Sequence, residues 1–593
     1  MSTTQLSADE KYEKIANLVD FGDERWFPPA GKLVIGTPPD WLSQPPVDGE
    51  TTRKHGISKE ILIKCAAQPL NDTGNGQRLL IHFGDQLLNV AAVGWHTWIE
   101  THWSRQGGDE AIVSFAQRCA SLISAEADVL TYDSVEQADI ESAEEAARLL
   151  RSVNRSEQSE RQVRQFEARI SAGKAAKAAL AKRKVKRQEF AVFSGNSARI
   201  SGMISQALPH CTVPPQELDG DPVTLNVANG TLRFVRGQAD SGARTCSVVL
   251  HTHDASDRLS KIAPVDYDPN AKCPRFHAFL GRFQPKHAVQ TFLQTYHGYG
   301  LTGLTSEQWL IFNYGLGANG KSTFVDILAQ IMGDYAKTLG FESLVGEGIR
   351  RGDQATPDLA RLPGARLVRV SEPEGAVRLK EGLIKSLTGG EPMSVRHLNK
   401  GFFEFKPEFK LVLSANRKPT IHGIDHGIWR RIRLIPWTVT ISDDEKRPLA
   451  EVLAEFWEER SGILNWLIEG AIRYLTEGLV TPNEIKDATA TYRSEQDPLQ
   501  SFINACVELV PAIPGQQPLK VAARTMYEAY CSWCVANSER PWSEKAFGQN
   551  LPQKGIAKIE GRIRQYVNVR LHDVPTTANR PNDDSSDDDE VPF

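Results

Sequence analysis

The stretch QWLIFNYGLGANGKSTFVDILAQIM, residues 308–332, constrains the fold of this chain more than any other. It contains Gly315, four further residues and then Gly320-Lys321-Ser322, the spacing of a phosphate-binding loop. Each residue type has a chemical reason to be there. Glycines let successive backbone N–H groups turn toward a phosphate, a lysine neutralises the β and γ oxygens, and a hydroxyl holds Mg2+. The loop also dictates its surroundings. A buried strand has to enter it, and the apolar run from Trp309 to Tyr314 has that character. A helix has to leave it, and Phe324, Ile327, Leu328 and Ile331 recur on one helical face. The expected class is α/β.

A nucleotide hydrolase needs a carboxylate near the metal and the attacking water. ARLVRVSEPE (365–374) offers a strand from Ala365 to Val370 and then Glu372, with Glu374 in reserve. A further strand, FKLVLSAN (409–416), is expected between the other two and ends at Asn416, whose amide suits a γ-phosphate sensor. In DHGIWRRIRLIPW (425–437), Arg430 and Arg431 precede another apolar strand. An arginine supplied by a neighbouring subunit makes hydrolysis depend on assembly.

Taken in order, GLGANGKST (315–323), DLARLPGARLVRVSEPE (358–374), KSLTGGEPMSVRHLNKGFFEFKPEFKLVLSAN (385–416) and GIWRRIRLIPW (427–437) resemble the superfamily 3 helicases of the AAA+ group. More narrowly, the chain is similar to the phage and plasmid primase-helicase family and its poxvirus relatives, over roughly residues 75–570. The resemblance implies an AAA+-like P-loop motor core with a helical N-terminal collar and a C-terminal winged-helix module. It implies a hexameric ring, with ATP and Mg2+ at subunit interfaces, moving 3′ to 5′ on single-stranded DNA and opening forks. Carried over by position, Gly315, Gly317, Asn319, Gly320, Lys321, Ser322 and Thr323 bind nucleotide, and Ser322 and Glu372 hold Mg2+. Asn416 is the sensor, and the arginine finger falls on Arg430 or Arg431. The segment between Glu372 and Asn416 corresponds to a hairpin facing DNA, where Arg396, His397 and Lys400 grip phosphates without reading bases. Two positions depart from the family pattern: Ser371-Glu372-Pro373-Glu374 separates acids that many members have side by side, and Glu391 stands where relatives often have Asp.

A chain of 593 residues exceeds one hydrophobic core. The expected divisions are an extended arm (1–55) around the proline-rich PPAGKLVIGTPPDWLSQPPVDG, a mixed, largely helical collar (56–300), the ATPase core (301–440), a helical closure (441–496), a winged-helix-like domain (497–572) and a disordered acidic tail (573–593). Within the collar, residues 134–190 read as charged helix ending in Lys182, Arg183, Lys184, Lys186 and Arg187, a solvated face before a phosphate-binding one. LNVANGTLRF reads as a hairpin turning at Asn229-Gly230. Asp219-Gly-Asp221 reads as a turn and not a metal pair, so no primer synthesis is expected. RIRQYVNVRL reads as one alternating strand, with Val567, Val569 and Leu571 facing away from Arg564, Tyr566 and Arg570. Lys545, Arg564 and Arg570 are the DNA contacts that a winged helix would offer, or else packing residues between subunits.

Composition removes other classes. The eight cysteines are scattered, and Cys531-Ser-Trp-Cys534 shares its helical spacing with Met526, Tyr530 and Trp533, which reads as core and not as a zinc or redox pair. With no basic leader and no apolar run of about 18 residues, a cytoplasmic protein off the membrane is expected. The net charge of −5 includes six acids in DDSSDDDEVPF, Asp583 to Phe593, so the remainder carries −5 + 6 = +1. That tail resembles the tip of bacterial single-stranded DNA-binding proteins. It is read as a docking peptide for a host replication protein or primase, as an autoinhibitory plug, or as a solvated appendage. The leading functional expectation is a ring-forming, ATP-driven DNA helicase that works on single-stranded and forked DNA. The alternatives are an AAA+ ATPase that remodels, loads or packages without unwinding, and a DNA-binding initiator or adaptor.

Overall fold

In the computed structural model the residues described are 57–152, 160–346, 355–370, 378–398, 401–421, 426–511, 517–537, 539, 541–559, 561 and 563–572. The proposed arm, the acidic tail, Glu372, Glu374 and Lys400 lie outside them. The N-terminal helices are α1 (Lys59–Ala66), α2 (Asp72–Phe83), α3 (Gly108–Leu122), α4 (Ser134–Ser152), α5 (Glu160–Ser194) and α6 (Ser197–Cys211). They divide between two compact units.

The first unit comprises residues before 70 and residues 122–191, and so holds α1, α4 and α5 as far as Ala191. The basic end of α5 is only partly a solvated face. Arg187 is buried, pairs with buried Glu126 at 2.5 Å and donates to the Ala66 carbonyl at 2.9 Å, while Arg183 reaches Glu136 at 2.5 and 2.6 Å. A buried pair of this kind fixes one arrangement of helices, because removing either partner strands a charge.

In the second unit, α2 packs on α6 beside a small sheet of strands β1 (Leu87–Val90), β2 (Gly94–Trp98), β3 (Trp103–Ser104) and β4 (Thr212–Val213), in the order β3-β2-β1-β4. Strands β5 (Thr224–Val227), β6 (Gly230–Gln238) and β7 (Arg244–His251) then form an antiparallel sheet, with Val227 opposite Gly230 across the Asn229 turn. Asp219 lies in a loop with φ 56°, buried, accepting from the Ser260 amide at 2.6 Å. Two helices follow, α7 (Pro274–Phe283) and α8 (His287–Tyr299).

The central sheet has five parallel strands. In chain order they and their connections are β8 (Leu310–Tyr314), α9 (Lys321–Met332), β9 (Ala336–Leu339), the short α10 (Phe341–Leu344) and α11 (Pro357–Ala360), β10 (Leu367–Val370), α12 (Glu381–Gly389), the hairpin β11 (Met393–Val395) and β12 (Phe403–Phe405), β13 (Lys410–Ala415), α13 (His426–Trp429) and β14 (Ile432–Pro436). The spatial order is β14-β8-β13-β10-β9. Side chains alternate across this sheet, and both faces are covered, so the strands read as continuous apolar runs. Ile311, Leu367, Val412 and Ile435 face Phe276, Phe292, Phe324 and Trp466; Phe312, Val368, Leu411 and Leu413 face Ile384, Trp429 and Tyr492.

Helices α14 (Leu449–Glu458), α15 (Arg460–Glu477) and α16 (Asn483–Glu495) complete these layers. The first face therefore recruits β5–β7, α7, α8, α14 and α15 into one core with the sheet. The packing shows no break at residue 300 or 440, where the sequence reading divides collar, motor and closure.

The C-terminal group comprises α17 (Pro498–Cys506), β15 (Val507–Leu509), β16 (Lys520–Ala522), α18 (Ala523–Ala536), α19 (Glu544–Asn550), β17 (Lys558–Ile559), β18 (Gln565–Val567) and β19 (Val569–Leu571). β18 lies between β16 and β17. The single alternating strand expected at RIRQYVNVRL is two: Asn568 takes φ 58°, β18 joins one sheet, β19 pairs with β15, and Tyr566 turns into the core at 1% exposure. Cys534, Met526, Tyr530 and Trp533 are buried together, and among the described residues no cluster of three or more His, Cys, Asp or Glu is placed to hold a metal. No described helix is long and apolar enough to cross a membrane.

Candidate active site

The loop between β8 and α9 lies at the C-terminal edge of the parallel strands, the edge at which open α/β sheets bind ligands. Its backbone takes positive φ at Gly317 (103°), Ala318 (45°) and Gly320 (78°). Gly320 is left-handed and Lys321 begins the right-handed α9, an alternation that turns successive N–H groups to one side and makes an anion-binding concavity, which the N-terminus of α9 reinforces. Gly315 and Gly320 are required by close approach. A Cβ on Gly315 would lie 2.3 Å from the Trp437 carbonyl, and one on Gly320 would press on the rings of Phe279 and Phe283 at 3.0 Å.

Lys321, 4% exposed, donates from Nζ to the Gly315 carbonyl at 2.8 Å, to Asn319 Oδ1 at 2.9 Å and to Asn416 Oδ1 at 3.0 Å. Its ammonium thus joins the loop to the tip of β13. Asn319 in turn donates from Nδ2 to the Trp437 carbonyl at 3.1 Å, so it orients the lysine and anchors the loop to the end of β14. Ser322 is exposed at the head of α9 and Thr323 is half-buried behind it. A serine hydroxyl open at that position fits a Mg2+ ligand; Glu372, the expected second metal contact, follows the end of β10 outside the described residues.

Several braces were not marked by the sequence reading. Asp326 on α9 and Arg369 on β10 are mutually paired at 2.5 Å, and Arg369 also donates to Thr338 on β9 at 2.7 Å. Burial pushes the Asp326 carboxyl up from its ordinary range, against the pull of Arg369. The pair fixes the helix carrying Lys321 to the strand leading to Glu372. Asn313 on β8 accepts from Trp437 Nε1 at 3.0 Å. The sequence signal was present but local: a polar residue in an otherwise apolar run.

The two arginines separate clearly. Arg431 is 8% exposed and donates to the Gly427 carbonyl at 2.6 Å, inside its own fold. Arg430 is exposed, with its guanidinium 3.0 Å from Gln308 Oε1. Both precede β14, whose Ile432 is level with Leu310, so they lie at the N-terminal edge of the sheet. A strand of five residues spans about 17 Å, which removes Arg430 from the Lys321 of its own chain.

The β11–β12 hairpin also starts from that N-terminal edge, since β12 leads into Lys410 at the start of β13. Arg396 lies over the Phe402 ring at 4.7 Å and His397 stacks on Phe403 at 5.9 Å, while Leu398 is 69% exposed. Predicted site residues are therefore gathered in two places: Gly315, Gly317, Asn319, Gly320, Lys321, Ser322, Thr323 and Asn416 at one edge, and Arg396, His397, Arg430 and Arg431 toward the other. In the C-terminal group Lys545 and Arg564 are exposed, and Arg570 pairs with Glu508 at 2.9 Å.

A family model described as "D5 N terminal like" matches residues 76–285, and a model described as a family of unknown function (DUF5906) matches residues 313–431. This chain is similar to viral proteins that carry the names of helicases and of a primase. It is 28% identical over 303 residues to "Putative helicase L207/L206" of Acanthamoeba polyphaga mimivirus, covering 49% of this chain and 31% of that one. It is 25% identical over 288 residues to "Putative helicase 022R" of Frog virus 3 (46% and 29%), and 23% identical over 357 residues to "Putative primase C962R" of African swine fever virus (54% and 34%). The chain thus spans about a third of the length of these relatives. Among solved structures, the apo C-terminal region of NrS-1 aligns with 57% of this chain and 96% of its own at 12% identity, with a TM-score of 0.35.

Proposed function

We propose that this chain is an ATP-driven replicative DNA helicase of the superfamily 3 type, from a phage, plasmid or integrated element, acting as a hexameric ring on single-stranded and forked DNA and moving 3′ to 5′. The observation that carries the reading is the placement of Lys321 and Arg430 at opposite edges of one parallel sheet. A single chain cannot bring both to one nucleotide, whereas neighbours in a ring can. ATP with Mg2+ supplies the transferable phosphoryl group and the charge neutralisation. Lys321 gives up the Gly315 carbonyl for a phosphate oxygen while the Asn319 and Asn416 amides keep it in line, and Ser322 with Glu372 would hold the metal. Arg430 of the next subunit meets the charge that develops on transfer. Arg396, His397 and Lys400 contact the DNA backbone from the hairpin. Similarity to viral proteins named as helicases and primases supports the replicative assignment. The cytoplasm is the proposed location, and the tail from Asp583 to Phe593 the proposed contact with a host replication protein or primase.

The test is unwinding of a forked duplex, with ATP hydrolysis measured with and without single-stranded DNA. The wild-type protein separates strands and hydrolyses faster on DNA. Lys321→Ala lowers hydrolysis by about a hundredfold or more, as expected for loss of a preorganised charge at the phosphates, and abolishes unwinding. Hydrolysis indifferent to DNA and without strand separation would overturn the assignment.

A further inference from the structure

We propose that Gln308 is a positioning residue that couples the DNA-facing hairpin to Arg430, so that DNA on one element governs the arginine offered to the neighbouring subunit's nucleotide. This inference rests on the function proposed above.

Gln308 precedes β8 and has φ 55°, a left-handed conformation that is strained for a residue with a Cβ. Such a conformation persists where surrounding contacts over-determine it, and here both ends of the side-chain amide are engaged. Oε1 accepts from Arg430 Nη2 at 3.0 Å and more distantly from Arg431 Nη2 at 3.5 Å. Nε2 donates to the Gly389 carbonyl at 3.1 Å. Guanidinium groups only donate and a carbonyl only accepts, so these partners fix the orientation of the amide.

Gly389 is the last residue of α12, and Gly390, at φ 74°, turns the chain toward β11. The end of α12, which leads into the hairpin, and the Arg430 guanidinium are therefore held by the two ends of one side-chain amide. The adjoining residue repeats the link: Arg433 lies over the Trp309 ring at 4.1 Å and donates to the Arg430 carbonyl at 2.9 Å. Gln308 thus holds the side chain of Arg430, while the backbone of Arg430 is held from Trp309 through Arg433. A displacement of α12 and its hairpin moves the acceptor of Nε2 and, through a rigid planar amide, the donor at Oε1. Glutamate keeps an acceptor for Arg430 but presents no donor to Gly389. Leucine keeps neither.

The experiment compares wild type, Gln308→Glu, Gln308→Leu and Lys321→Ala as full-length chains, reading ATP hydrolysis with and without oligothymidylate, nucleotide affinity, oligothymidylate affinity and melting temperature. Both Gln308 variants keep their affinities and melting temperature but lose DNA stimulation by about fivefold or more, the low end of allosteric couplings. Mixing Gln308→Glu with Lys321→Ala subunits restores stimulation, because an intact Lys321 from one then meets a normally held Arg430 from the other. A residue that merely supports the fold gives no such recovery. Full stimulation in both Gln308 variants, or no recovery on mixing, overturns this inference and leaves the motor assignment standing. Absence of DNA-stimulated hydrolysis in the wild type overturns the motor assignment itself, and the coupling with it.

Discussion

At the scale of single residues, the two adjacent arginines are a natural experiment in what burial does to the same chemistry. Arg431 is enclosed and bonded to the Gly427 carbonyl, whereas Arg430 is exposed at the start of β14. Arg431→Ala should lower stability by about 1–3 kcal/mol, since the part-buried Gly427 carbonyl loses its donor, and this will be seen as a lower melting temperature. Arg430→Ala should leave melting temperature and nucleotide affinity unchanged while hydrolysis falls by about a thousandfold, the low end for an arginine finger. Titration of a fluorescent ATP analogue beside turnover separates the two outcomes. The sequence made Lys321 and Asn416 legible because each sits at a fixed offset from a strand or a glycine pattern. It left Asp326–Arg369, Asn313–Trp437 and Gln308–Arg430 hidden, since those partners lie 43, 124 and 122 residues apart and nothing local announces the pairing.

Elements show the same division between local and distant causes. The strand–loop–helix around Lys321 and the β5–β6 hairpin were readable, because period-2 and period-3.6 patterns and an Asn-Gly turn are written within a few residues. The merging of β5–β7, α7, α8, α14 and α15 into the core of the sheet was not, because it depends on which face meets which across more than a hundred residues. The α8–α15 crossing is its tightest point. A Cβ on Gly298 would fall 2.2 Å from the Ala471 amide nitrogen, and one on Gly470 would fall 2.0 Å from the Gln294 carbonyl oxygen. Both obstacles are backbone, so neither can rotate aside. Gly298→Ala should therefore cost at least about 2 kcal/mol despite the better helix propensity of alanine, lowering the urea midpoint of the second unit. An equal or higher midpoint would mean that the helices separate more easily than their packing implies.

For the whole molecule, acid sensitivity follows from where histidines are enclosed. His297 on α8 is fully buried against Phe324 of the Lys321 helix, with ring centroids 5.2 Å apart, and burial lowers its pKa to about 3. Burial likewise takes His96 and His82 down to about 4, with nearby cations adding to the effect, although for His96 the Gly94 carbonyl opposes it. In each case the folded state prefers the neutral ring and the unfolded state, near 6.5, takes up a proton first. Stability is thus complete above about pH 6.5 and declines as pH falls toward 4 and then 3, at up to about 1.4 kcal/mol per pH unit for each enclosed ring. His297→Leu removes one such proton site. Its loss of stability between pH 6.5 and 4.5 should be smaller than that of the wild type by up to about 2.7 kcal/mol, measured by chemical denaturation at each pH. The two curves should converge above pH 7 apart from a constant offset from repacking. Parallel curves through the acid range would show that His297 gains a proton without unfolding, and that the core beside the Lys321 helix admits water.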